Sequence, residues 1–173
     1  GMQQLMTTFI EIQQEFGRCC RANDGMSCIF TRTLNDGTRK MIANRLNQYA
    51  AQLDWNRVIG LVDVSKRHDA TAGILVCDTK AYFYGGRNKP QKVWYDEVSR
   101  IAILRTEEGF DYGVKFELDS NADYLWKCDV VDCEAITKLI KSIKRINRAA
   151  AEEYSRVNLE YENEAAGIEV GGL

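Results

Sequence analysis

No stretch of this chain approaches the roughly 18 consecutive apolar residues that a membrane-spanning helix needs. Its start, Met2 to Thr7, lacks a basic segment followed by a long apolar one, so no secretory signal is expected. Gly1 ahead of Met2 reads as a remnant of tag cleavage, and a cytoplasmic location is the expectation. A basic excess is also missing: 23 lysines and arginines face 25 acidic residues, for a net charge of −2 and a pI near 5.6. Bulk electrostatic binding to nucleic acid needs the opposite balance, so no nucleic-acid partner is expected, although a local basic patch stays open.

Catalytic and metal-binding patterns are equally sparse. The sole histidine, His68, lies between Arg67 and Asp69. A general base needs a nucleophile and an orienting group within reach, and the sequence supplies neither beside it. The six cysteines contain no C-x-x-C pair, and only Cys128 and Cys133 are close enough to suggest a metal knuckle. Without a secretory signal, free reduced thiols are expected, the vicinal Cys19 and Cys20 being the pair worth testing for reactivity. Gly85 and Gly86 match neither phosphate-loop pattern, and Asp96-Glu97 and Glu107-Glu108 are adjacent rather than facing. No catalytic residue, metal or cofactor is therefore expected, and the chain reads as a non-enzyme. A thiol- or His68-based pocket is the remote alternative.

What is present is enough apolar residue, 45% of 173, to build a core without disulfides or metal. Leu5, Phe9, Ile12 and Phe16 recur at helical spacing, predicting a helix over Leu5 to Cys20, ended by Asn23-Asp24-Gly25. Met26 to Thr33 reads as extended, Asn35-Asp36-Gly37 as a turn, and Thr38 to Leu53 as a second helix. From Trp55 the period changes to that of strands. Seven short ones are predicted between Val58 and Cys128, separated by turn signals such as Asp78-Thr79-Lys80 and Gly85 to Pro90. Asp132 then caps a helix whose stripe is Ile136, Leu139, Ile140, Ile143 and Ile146, extended by Ala150 and Tyr154. Asn158 to Leu173 is acidic and reads as a tail.

Three segments carry a family resemblance. They are the apolar run Val58 to Asp63, the strand–turn–aromatic strand from Gly73 to Gly86, and Val93 to Val98 with its Trp94, Tyr95, Asp96 and Glu97. Together they resemble the first strands of bacterial pleckstrin-homology (PH)-type domains, over roughly Asn56 to Arg148. The resemblance implies an α+β fold: a PH-like seven-stranded antiparallel barrel or sandwich, capped by a C-terminal helix. It would span residues 55–157, with an N-terminal helical extension over 1–54 and an acidic tail over 158–173. It also implies a non-enzymatic binding or scaffolding module. The basic pattern of lipid-binding members is represented only by Lys66 and Arg67, with Ile74, Leu75 and Val76 where the later cation would fall. A protein partner or a homo-oligomer is therefore the first expectation. The alternative is an anionic headgroup or phosphate, held where the loops after the first, third and sixth strands would converge. Its candidate residues are Lys66, Arg67, Arg87, Lys89 and Lys92, diluted by Asp63, Asp69 and Asp119.

Overall fold

A computed structural model describes residues 2–22, 27–128 and 132–171. The chain runs through α1 (Met2–Ala22), β1 (Ser27–Phe30), α2 (Asp36–Leu46), β2 (Val58–Asp63), β3 (Gly73–Cys77) and β4 (Lys80–Gly85). It continues through β5 (Asn88–Trp94), β6 (Val98–Arg105), β7 (Asp111–Leu118), β8 (Asp123–Lys127) and α3 (Cys133–Gly171). The turn expected at Asn23-Asp24-Gly25 lies outside the described residues.

The helices follow their apolar stripes with two changes. Asn35-Asp36-Gly37 is a helix start and not a turn: the Asn35 side chain accepts from the Thr38 amide at 2.8 Å, and Asp36 and Gly37 already belong to α2. The residue types that favour a turn also satisfy a first helical turn, so the sequence signal is ambiguous. The second helix is also shorter than its stripe. Asn47, at φ 56°, ends α2, and residues Asn47–Gln52 continue as a 3-10 segment.

The seven expected strands exist, as β2 to β8, but they do not close into a PH-like barrel or sandwich. An eighth strand, β1, joins them, and two separate open antiparallel sheets result, ordered β1-β2-β3-β4-β5 and β6-β7-β8. This overturns the resemblance to the pleckstrin-homology family, and the bacterial association with it. The physical reason lies at the sheet edges. β1 pairs along β2, from Ser27 opposite Asp63 to Phe30 opposite Gly60, and occupies the edge that closure would have needed. Between β5 and β6 the chain turns through a 3-10 segment, Tyr95–Glu97, and no ladder joins those two strands.

Helices take over the covering that closure would have supplied. Ile74 and Val76 of β3, with Ala81 and Phe83 of β4, face a core shared with the second sheet, α1 and α3. The alternate residues Leu75, Cys77, Tyr82 and Tyr84 face a second core under α2. Both faces of β2, β3 and β4 are thus buried, which accounts for their continuous apolar runs. α3 starts where expected: the Asp132 carboxylate accepts from the Glu134 amide at 2.9 Å and from the Ala135 amide at 3.3 Å. Its residues Ile136, Leu139, Ile140 and Ile143 are buried. The stretch expected as a tail continues the same helix to Gly171. No described helix is long and apolar enough to cross a membrane.

Cysteine chemistry departs from the expectation of free thiols. Cys20 near the end of α1 is disulfide-bonded to Cys28 in β1, with their Cα atoms 5.6 Å apart. The bond ties the edge strand to a helix whose Phe16 packs on Gly60 of β2. For a loop this short, chain entropy predicts a stabilisation of about 2.5 kcal/mol. Treatment with dithiothreitol, or Cys28→Ser, is expected to lower the denaturation midpoint accordingly. An unchanged midpoint would show that the bond adds nothing to the packing of α1.

Candidate functional site

The loop after β2 is built around a buried carboxylate. Asp63 accepts from the Ser65 amide at 2.9 Å, the Ser65 hydroxyl at 2.6 Å and the Ala70 amide at 3.1 Å. The Ser65 hydroxyl accepts in turn from the Asp69 amide, and the Tyr84 hydroxyl donates to the Ala70 carbonyl at 2.7 Å. Charge-assisted bonds of this kind hold a loop in one shape, and here that shape projects Lys66 outward.

A second device joins the two sheets beside this loop. The Asn88 side chain accepts from the Lys127 amide and donates to the Lys127 carbonyl, both at 2.9 Å. One side-chain amide thereby replaces a strand neighbour, linking the start of β5 to the end of β8. The Cys128 amide donates to the Tyr112 carbonyl at 2.9 Å and closes the same end of the smaller sheet.

Between these parts lies a cavity of about 390 Å³, bordered by Ser65, Lys66, Thr71, the glycine pair Gly85-Gly86, Arg87, Asn88, Tyr112 and Lys127. Lys66, Arg87 and Lys127 are exposed at its rim, and no carboxylate of the described residues lines it. The acids expected to dilute the patch are directed elsewhere. Asp63 is consumed by its own loop. Asp69 accepts from the Thr71 hydroxyl at 2.6 Å and from the Thr71 amide, bonds that hold its pKa below the usual value. Asp119 sits beyond Leu118, at the opposite end of β7 from Tyr112, where its amide donates to the Glu97 carbonyl.

The five cations proposed from sequence are therefore not one cluster. Lys66 and Arg87 border the same cavity. Arg67 is exposed on the loop beside it but does not line it. Lys89 borders an adjoining cavity of about 330 Å³, which it shares with Arg87, Gln91 and Lys127. Lys92 lies apart: its ammonium donates to the Gln52 side chain at 2.7 Å and sits over the rings of Trp94 and Tyr49. Lys127 was missed, because it comes from a strand end and not from the expected sixth-strand loop. The only sequence signal for it was the alternation that buries Trp126 and turns its neighbour outward.

No family model, curated protein or solved structure matches this chain. The site must therefore be judged on its own chemistry. A second groove, between α1 and β1, holds Arg18, Arg21 and Arg32. There Arg18 is paired with Glu15, which offsets one of the three charges, and Arg32 lies over the Phe30 ring at 5.9 Å. Among the described residues no group of three or more His, Cys, Asp or Glu side chains could hold a metal ion. Burial pushes the thiols of Cys19 and Cys133 up to about 11 and that of Cys77 up to about 12, which makes these three poor nucleophiles at neutral pH.

Proposed function

We propose that this protein is a non-enzymatic binding module for a small anionic ligand bearing phosphate, held in the cavity between its two sheets. The observation that carries the reading is the convergence of Lys66, Arg87 and Lys127 on one cavity with no carboxylate among its described lining. Arg87 offers a planar fork that matches phosphate oxygens, and the two lysines add point charges. Side chains of Asn88, Thr71 and Tyr112 supply neutral polar groups on the same wall. The volume lies at the small end of ligand pockets, which suits a compact phosphorylated molecule better than an extended peptide. Protein association, the first expectation from sequence, has no comparable feature at this site. A cytoplasmic setting belongs to this proposal only if the cell keeps Cys20 and Cys28 reduced, since cytosolic thiol systems break most such bonds.

The test is calorimetric titration with inorganic phosphate, pyrophosphate and vesicles containing phosphatidylinositol phosphates, at low and physiological salt. Each charge-assisted contact is worth about 1.5–3 kcal/mol, so Arg87→Ala or Lys127→Ala should weaken binding roughly 10- to 100-fold. Lys92→Ala should leave it unchanged. Binding of soluble pyrophosphate assigns a small-molecule ligand, whereas binding of vesicles alone assigns a headgroup. No heat from any of the three, or equal loss in the Lys92 variant, would sink the site.

A further inference from the structure

α3 leaves the body of the protein at Asn147, whose side chain donates to the Asp78 carbonyl at 2.8 Å. From residue 151 to residue 167 every position is exposed, although the helix continues unbroken. At 1.5 Å per residue this is about 25 Å of helix that no described part of its own chain buries. Isolated helices of that length are marginal in water, so a packed face is the usual source of their stability.

The face is visible in the spacing. Ile136, Ile140 and Ile143 point into the core, and the same steps of three and four continue through Asn147 and Ala150 to Tyr154, Val157 and Tyr161. Those last three side chains are 53%, 46% and 74% exposed. One seam, at heptad spacing, is thus half covered by the core and half open.

Charge divides the helix at the same point. Up to Arg148, Lys138, Lys141, Lys144, Arg145 and Arg148 stand against Glu134 alone. From residue 149 to residue 167, Glu152, Glu153, Glu160, Glu162 and Glu164 stand against Arg156 alone. Beside the basic half, α1 and α3 enclose a groove of about 500 Å³ with Ala135 and Leu139 at its floor and Lys138, Lys141 and Arg145 along its rim. Its acids are already engaged: Glu15 with Arg18, Glu134 with Arg105, and Asp132 in the helix cap.

We infer that the acidic extension of α3 docks, antiparallel, along the basic half of α3 in a second copy of this chain. The extension cannot reach the groove of its own chain, because both halves belong to one continuous helix. Two copies related by a two-fold axis bring each acidic half onto the other's basic half, so a single arrangement satisfies both surfaces. Tyr154, Val157 and Tyr161 then lie over the apolar floor, and Glu153 and Glu160, both paired with Arg156 in the single chain, come within reach of the cationic rim. This inference is independent of the anion site, which lies at the far ends of β4 and β8.

Sedimentation equilibrium of the full chain at micromolar concentration tests it, with helicity followed by circular dichroism. The wild type is expected to be a dimer that weakens as salt rises. Glu153→Lys with Glu160→Lys, at exposed positions that leave the body intact, should be monomeric. So should Lys138→Glu with Lys141→Glu and Arg145→Glu. Mixing the two monomeric variants should restore a dimer, since each extension then carries, at positions 153 and 160, charges opposite to those of the other's groove. A monomeric wild type overturns the inference and leaves the seam to a different protein. So do a dimer that survives either reversal and a mixture that stays monomeric.

Discussion

Gly85→Ala is expected to lose about 3 kcal/mol of stability, the sum of a strained backbone and an overfilled contact. Gly85 sits at φ 83°, a conformation that side chains resist, and a Cβ there would lie 2.4 Å from the Thr71 carbonyl oxygen and 2.5 Å from the Ala72 Cα. Both neighbours are backbone, so neither can rotate away. Gly86 provides the control. It too has positive φ, at 62°, but a Cβ there meets nothing nearer than the Asn88 amide at 4.0 Å. Gly86→Ala should therefore cost only about 1 kcal/mol, the backbone part alone. Urea denaturation of both variants decides the matter. Equal losses would mean that the close approach of the β4 end to the loop after β2 is not real, and the cavity wall would have to be redrawn.

Trp126→Ala should be more damaging still, at about 3–5 kcal/mol, the range for deleting a large buried aromatic side chain. Trp126 is fully buried and its ring lies 5.6 Å from that of Phe83, so it packs the smaller sheet against the larger. Its indole nitrogen has no hydrogen-bond partner among the described residues. Trp126→Phe removes that unpaired donor, whose burial costs about 1–3 kcal/mol, and so offsets part of the lost packing. The Phe variant should fall within about 1 kcal/mol of the wild type. A Phe variant as unstable as the Ala variant would show that the nitrogen is satisfied, for instance by a buried water. Because Lys127 follows Trp126 in β8, the Ala variant should also weaken any phosphate binding, whereas the Phe variant should keep it.

The two variants also show which parts of the molecule could be read from residues. Val58 to Val62, Gly73 to Cys77 and Ala81 to Tyr84 announced strands through β-branched and aromatic runs, and they are β2, β3 and β4. The loops carrying Lys66 and Arg87 were legible as turn chemistry, and those two cations do border one cavity. The barrel was wrong for a specific reason. β3 and β4 bury alternate residues on both faces, and that pattern is the same whether the second cover is another part of a closed sheet or a helix such as α2. Periodicity reports that a face is covered without naming what covers it.

Local chemistry alone determined the helix stripes, the Asp132 cap, the strand runs and the hairpin at Asp78-Thr79-Lys80, because each depends on residues a few positions apart. Tertiary structure decided the rest: the pairing of β1 on β2, the split into two sheets, the Cys20–Cys28 bond, and the arrival of Lys127 beside Lys66 and Arg87. All four depend on distances between segments that the chain brings together only when it folds. Spacing in sequence carries no information about them.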